Sequence, residues 1–560
     1  MVFGKVRSSG PPVTDPEEGP AVGRDWFEWL LLAALGALAF SVLAGLYVRT
    51  FAKGGHVTGS DGYLVVDALQ YLNWLRQSGE HFAASNLYDF TELDYTFVHP
   101  GLIAAGLVNR LGAGPVASYA LVKPFAVAAL FFGSAGLVHR HLTLRSDRRA
   151  ALATALLYCA PAAAIAGWLL PASSESKFQL DFAGGEVWAG SYLWGYSFTA
   201  IAVGLVPIGL VAWERGRDGN RRAIAIASCC ALVAAWFQPW QGATLVGVVV
   251  LAEALRTRAD RAPIRPLIAR VAPVAIAGAM PLAYYFVLSK VDPAWELAGV
   301  ANNERPRWPI WVLLLTLGPL ALPAAFTYGR GRWSDAGSVA LRLWPLVGLG
   351  IYFAPVGTFP FHAIQGMQVP LAVLAFVAIR ERIGERPLPA ALTVIAVALM
   401  TVPGTIYRVD QMRGAVNAGQ QAFFLTDAEH AALTWLDREP GPGGVVTENY
   451  LGTVIPAWTG RQTWIGAGSW TPQFEQRRKL VDALFAGRLD AASARQMLVR
   501  PGAGFILEDC RAQPGFWKAV RAFTQVVWQR GCVRVLKLRG VPDRVQGGTP
   551  PLPAIPSSRG

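Results

Sequence analysis

The chain has 560 residues, 53% of them hydrophobic and only 16% charged, with a formal net charge of +13. A mean hydropathy of +0.35, with repeated apolar runs of about 17–25 residues, excludes a soluble domain and implies a polytopic α-helical membrane protein. The runs do not alternate, which excludes a transmembrane barrel, and the basic residues sit in short loops between runs, the pattern of cytoplasmic loops rather than of a nucleic-acid surface.

Residues 1–26 read as a polar cytoplasmic tail without a cleavable signal peptide. The first span is expected at 27–48, followed by an external loop over 49–98. That loop contains "DGYLVVDALQYLNWLRQSG", 61–79, which is helical in period. Asp67, Gln70, Tyr71 and Trp74 fall at i, i+3, i+4 and i+7 and share one face, while Val65, Leu69 and Leu72 lie on the other side. A carboxylate accepts hydroxyl protons and an aromatic ring stacks on the apolar face of a sugar, so this face suits a carbohydrate; an interfacial Trp/Tyr anchor belt is the other reading. Asp61, Asp89, Glu92 and Asp94 lie in the same loop. The loop ends in "FVHPG", where His99-Pro100 starts a helix. That segment, 99–112, is about 21 Å long as a helix, too short for a hydrocarbon core of ~30 Å.

Further apolar runs follow at 115–139, 150–170, 195–213, 222–238, 240–256, 268–289, 308–328, 340–357, 364–380 and 387–407, for about 11–13 transmembrane helices in a domain over 27–410. Five loops on one side hold 19 arginines, and the alternating loops hold four basic residues in total. This bias puts the arginine-rich loops inside and 49–98, 171–194, 290–307 and everything after 410 outside. The external loops carry further polar candidates. "QLDFAGGEVWAGSYLWGY" holds Asp181 and Glu186 amid aromatics. "SKVDPAWELAGVANNERPRWP" holds Lys290, Arg305 and Arg307, which suit a phosphate or anchor the loop ends. "FPFHAIQG" brings His362 and Gln365, and "QPWQG" brings Gln238 and Trp240. Within the spans Glu253 and Lys123 are the main ionisable residues, both near span ends.

Beyond residue 410 the chain alternates helices and strands, as in a small extracytoplasmic α/β domain over 411–541. "LTDAEHAALTWLDRE" is an amphipathic helix capped by Thr426 or Asp427. "GGVVTEN", "RQTWIG", "GFILEDC" and "CVRVLKL" read as strands, and "TPQFEQRRKLVDALFAG" as a helix opened by Thr471-Pro472. Cys510 and Cys532 suit a disulfide outside the cell, and no cysteine spacing matches a zinc site. Residues 542–560 read as a disordered tail.

The first span, the long acidic external loop, the HP-started helix, the many further spans and the terminal domain together resemble the GT-C superfamily of membrane glycosyltransferases. Residues 27–138 carry most of the likeness, and "FVHPGLIAAG" is similar to the "HPPL" helix start of the mannosyltransferase-like members. The family's paired acids are here single, Asp61 before Gly62 and Asp67 before Ala68. The resemblance implies transfer of a sugar from a polyprenyl-phosphate donor to a glycan, lipid or protein acceptor at the outer face of a bacterial plasma membrane. Asp67 or Asp61 would be catalytic, with Tyr71, Trp74, His99, Asp181, Glu186, Lys290, Arg305, Arg307, His362 and Gln365 binding substrate. Some members use a divalent metal, Mg or Mn, and others none; no cofactor is certain. The lipid donor carries its own activation, so no nucleotide motif is required, and "GAGPVAS" lacks the lysine of a P-loop. A transporter or flippase of a lipid-linked substrate and a non-catalytic scaffold of the same fold are the alternatives.

Overall fold

A computed structural model describes residues 25–541, 552 and 553, apart from 92, 262, 304–306, 330–332, 334, 355–358, 385, 387, 420, 442 and 501. Arg305 and Glu92, nearly all of the expected N-terminal tail, and nearly all of the expected C-terminal tail therefore lie outside the described residues.

The first helix, α1, is Trp26–Lys53, opened by Asp25, whose side chain accepts from the Phe27 N–H. The strand β1, His56–Val57, follows, then α2, Val65–His81, and α3, Pro100–Val108. The span domain continues through α4 (Pro115–Ala120), α5 (Lys123–His141), α6 (Arg145–Leu157), α7 (Pro161–Leu169), α8 (Glu175–Glu186), α9 (Ala189–Leu193), α10 (Ser197–Gly216), α11 (Arg221–Phe237) and α12 (Pro239–Asp260). It ends with α13 (Ile264–Val291), α14 (Pro293–Asn303), α15 (Ile310–Ala325), α16 (Ala336–Phe353), α17 (Gln368–Ile383) and α18 (Ala390–Ala418). Proline opens α3, α4, α7, α12 and α14, where its missing N–H has no partner to lose.

Among the described residues the expected apolar runs lie mostly on one helix or two successive ones, yet eight helices are long and apolar enough to cross a membrane, or nine if the bent pair α6 and α7 is one span. The expected count of about 11–13 is thus not reached on length and composition alone. Helix α11 has 17 residues, and the last turns of α12 carry Glu253, Arg256, Arg258 and Asp260. The segment 99–112 forms no helix long enough to cross. Helix α3 spans only nine residues and breaks at Gly112, where φ is 99°. It lies backbone to backbone against α2, since a Cβ on Gly106 would stand 2.4 Å from the Leu75 carbonyl oxygen and 2.5 Å from the Gly79 nitrogen.

The two ends of α1, about 40 Å apart at 1.5 Å per residue, meet different chemistry. At its start Asp25 accepts from Arg145 and Arg149. The arginine-rich loops tie to one another at this end: Arg140 bonds Glu214 and Asp335, and Arg380 bonds Asp147. At its far end the first loop is stitched into the C-terminal domain. β1 pairs antiparallel with β2, Phe424–Leu425. Arg477 reaches Asp89 at 2.7 Å, Asn86 donates to the Trp470 carbonyl, and the Thr463 N–H donates to Leu87. The first loop and the C-terminal domain therefore share one end of the bundle, opposite the arginine-rich loops.

The C-terminal domain holds α19 (Asp427–Arg438), β3 (Gly444–Val446), α20 (Asn449–Thr459), α21 (Phe474–Phe485), α22 (Ala491–Leu498), β4 (Ala503–Glu508), α23 (Pro514–Val520), β5 (Thr524–Arg530) and β6 (Val533–Leu538). The sheet order is β3-β4-β6-β5, with β3 parallel to β4 and the other pairs antiparallel. Thr426 and Glu429 close a capping box on α19. Two expectations change. "RQTWIG" makes only one bridge, Thr463 to Val445. The helix after Thr471-Pro472 begins at Phe474, because Gln473 takes a left-handed φ of 51°. Helix α18 also runs to Ala418, past the expected domain boundary at 410.

Cys510 and Cys532 are joined in a disulfide that closes a 22-residue separation around α23 and β5. A loop of that length constrains the unfolded chain by about 3 kcal/mol. Cys510→Ser with Cys532→Ser is expected to lower the melting temperature of the domain, measured by calorimetry on the purified chain.

Burial raises the Glu508 carboxyl from 4.5 to about 7, against Arg534 and the Trp517 N–H, which favour its charge. The folded domain thus binds this proton more tightly than the unfolded chain, and Glu508 lowers stability as pH rises from about 4.5 through 7. Glu508→Gln is expected to stabilise the domain by on the order of 1–3 kcal/mol at pH 8 and to change little at pH 4. Thermal melts at both pH values test it.

Candidate functional site

Helix α2 lays its expected face against aromatic rings from distant segments. Asp67 Oδ2 accepts from the Tyr196 hydroxyl at 2.6 Å. The Tyr71 ring stacks on Tyr119 at 5.9 Å and meets Tyr196 edge-on at 6.1 Å. One turn further, Trp74 packs on Phe97 at 4.7 Å and on Trp470 at 5.3 Å, with Trp295 stacked at 6.1 Å. Asp67 is half-buried, so a carboxylate stands at the head of a line of rings running along α2.

The other acid of this stretch has a different setting. Asp61 is 1% exposed and Lys123 fully buried, with Asp61 Oδ2 2.6 Å from Lys123 Nζ. Lys123 also donates to the Leu193 carbonyl. Lys123, read from sequence as a span-end charge, is thus the partner of a candidate catalytic residue.

A second cluster joins three loops. Glu186, at the end of α8, accepts from Gln365 at 2.6 Å and lies 3.0 Å from His362 Nδ1. Gln238 donates to Gln365 Oε1, and Gln241 donates to the His362 and Gln365 carbonyls. The Trp240 ring meets His362 edge-on. Glu186, His362, Gln365, Gln238 and Gln241, separated by up to 179 positions, therefore form one hydrogen-bonded group, with the Trp240 ring against His362.

The remaining candidates separate from these two groups. Asp181 lies 2.8 Å from Arg408 Nη1 and accepts from the Tyr63 hydroxyl. Arg408, directly after the expected apolar run 387–407, is 1% exposed, a buried cation. His99 is a helix cap: its Nδ1 accepts from the Leu102 N–H, and its ring stacks on Phe237. Burial holds its imidazole down at about 3, which keeps it neutral and able to accept. Lys290 and Arg307 are exposed, and Arg307 donates to the Ala354 carbonyl. They form no cluster with each other in the described contacts, and Arg305 is outside the described residues. Tyr196, the hydrogen-bond partner of Asp67, was missed from sequence because the contact spans 129 positions.

Among the described residues no three His, Cys, Asp or Glu side chains gather to hold a metal ion, and the Glu186 carboxylate is engaged by His362 and Gln365.

No protein-family model matches the chain, and no curated protein matches it by sequence. Solved structures are similar to it in shape. An arabinofuranosyltransferase, AftD, from Mycobacteria aligns with a TM-score of 0.53 at 14% identity over 93% of this chain and 42% of its own. ArnT from Cupriavidus metallidurans, bound to undecaprenyl phosphate, aligns at 0.47 and 12% identity over 91% and 97%. The archaeal oligosaccharyltransferase AglB from Archaeoglobus fulgidus, in complex with an inhibitory peptide and a dolichol-phosphate, aligns at 0.49 and 12% over 87% and 69%. The arabinofuranosyltransferase is the one of these three above 0.5, and the likeness is one of fold. With a multi-helix apolar bundle, an acidic helix in the first loop and a terminal α/β domain at the same end, the chain shares its overall fold with that arabinofuranosyltransferase.

Proposed function

We propose that the chain is a membrane glycosyltransferase that moves a sugar from a polyprenyl-phosphate-linked donor to an acceptor hydroxyl at the outer face of a bacterial plasma membrane, inverting configuration. The observation that carries this reading is the half-buried Asp67 carboxylate, oriented by Tyr196 at the head of an aromatic wall. Asp67 takes the acceptor proton as general base. The acceptor oxygen bonds to the anomeric carbon, the bond from that carbon to the phosphate oxygen breaks, and polyprenyl phosphate leaves with the electron pair. Asp61 suits the role less, because it is buried against Lys123 and has no exposed path to a hydroxyl. Lys290, Arg305 and Arg307 remain the proposed cations for the leaving phosphate, and Glu186, His362 and Gln365 the proposed contacts to sugar hydroxyls. Asp181 acts on this reading through Arg408, and His99 by capping α3. No step is routed through a metal.

The buried charges do not favour transport. Asp61, Glu253, Asp147 and Asp181 each have a basic partner, in Lys123, Arg217, Arg380 and Arg408, which suits fixed packing better than a moving substrate path.

The reading requires the first loop to face outward. Glu80 is exposed on α2 and Asp218 is exposed between α10 and α11. A cysteine at Glu80→Cys is expected to react with a membrane-impermeant maleimide in intact cells, and one at Asp218→Cys only after permeabilisation. The opposite pattern would put the acidic helix on the wrong side and remove the proposal.

A further inference from the structure

Gln70 is 3% exposed, and among the described residues neither its amide nitrogen nor its amide oxygen has a hydrogen-bond partner. A buried amide without partners is unfavourable, and this one sits between Asp67 and Trp74 on the same face of α2. Beside it, Trp74 meets two half-buried rings from other segments. Trp295 comes from α14 and Trp470 from the C-terminal domain, with their centroids 5.0 Å apart. The orphaned donor and acceptor therefore lie between a carboxylate and a tryptophan corner.

We infer that the acceptor is a saccharide, with one sugar hydroxyl at Asp67, neighbouring hydroxyls on the Gln70 amide, and a sugar ring against Trp295 and Trp470. This deepens the proposed function and rests on Asp67 being the base. The chemistry selects a carbohydrate. A vicinal diol offers a donor and an acceptor at the spacing of one carboxamide, and the C–H face of a pyranose or furanose matches an indole. A lone serine or threonine hydroxyl would satisfy Asp67 and leave the Gln70 amide unpaired. The corner is also assembled from three segments of the chain, α2, α14 and the C-terminal domain, which gives that domain a part in recognition.

The test is saccharide binding to the purified full chain in nanodiscs, read by saturation-transfer NMR, with a panel of hexose and pentose di- and trisaccharides as probes and a serine/threonine peptide as competitor. Saccharide is expected to bind, with affinity lowered tenfold or more in Gln70→Leu and in Trp470→Ala. Gln70→Leu is expected to melt no lower than the parent chain, because leucine leaves no orphaned amide, so a loss of binding is not a loss of fold. No binding by any saccharide, equal affinity in Gln70→Leu, or peptide competing as well as saccharide would each overturn the inference. The binding arm is independent of turnover: Asp67→Asn that binds saccharide and still transfers at full rate would remove the catalytic reading alone.

Discussion

If Asp67 is the proposed base, Asp67→Asn is expected to lower sugar transfer by a factor of about 10²–10⁴, the range over which a positioned general base accelerates a proton transfer. Asparagine keeps the shape and can still accept from Tyr196, whose hydroxyl lies 2.6 Å from the carboxylate, so the loss is expected in kcat with expression and melting temperature unchanged. Tyr196→Phe is expected to have a smaller effect, about tenfold, because it removes only the hydrogen bond that orients the carboxylate. A pH–rate profile separates the two roles. In Tyr196→Phe the acidic limb moves, since the carboxylate loses a donor to its charged form, whereas Asp67→Asn flattens it. Full transfer by Asp67→Asn would take Asp67 out of the mechanism.

Lys123→Met destabilises the chain by about 3–5 kcal/mol, the usual effect of leaving one charge of a buried pair without its partner. Lys123 is fully buried and Asp61 1% exposed, so water cannot solvate the carboxylate left behind. Asp61→Asn is expected to be nearly as damaging. The double variant Asp61→Asn, Lys123→Met is expected to recover most of the stability, because no charge is then stranded. Thermal unfolding of the three purified variants measures this, and transfer by the double variant decides what Asp61 does. Recovered stability with recovered transfer makes Asp61 structural. Recovered stability without transfer makes Asp61 the catalytic base and contradicts the assignment to Asp67.

Much of this architecture was legible in the sequence because lipid imposes a one-dimensional signal. The apolar runs became helices, two of them broken into helix pairs, and the arginine excess separated the two ends of the bundle. The shared face of Asp67, Tyr71 and Trp74 was legible because helical period is local. What was missed is long-range. Nothing periodic links Lys123 to Asp61, Arg408 to Asp181 or Tyr196 to Asp67. Arg408 was especially opaque: an arginine after an apolar run marks a span end, yet this one is buried inside α18 against Asp181 of α8. In the C-terminal domain, "NYLGTVIPAWT" forms α20 despite its β-branched residues and Pro456, because eight of its eleven residues are buried by packing, which overrides weak local propensity. "TQVVWQR" was passed over although it forms β5, the exposed edge of the sheet, where apolar and polar residues alternate only in part.

The central claim is that this chain consumes a lipid-phosphate sugar. The direct measurement is release of undecaprenyl phosphate from undecaprenyl-phosphate hexose and pentose donors by the purified full chain in nanodiscs, with saccharide acceptors present. The account predicts release by the parent chain, with the freed sugar recovered on the acceptor in inverted configuration, and none above background by Asp67→Asn. A folded parent chain that leaves every such donor intact, or equal release by Asp67→Asn, would contradict it.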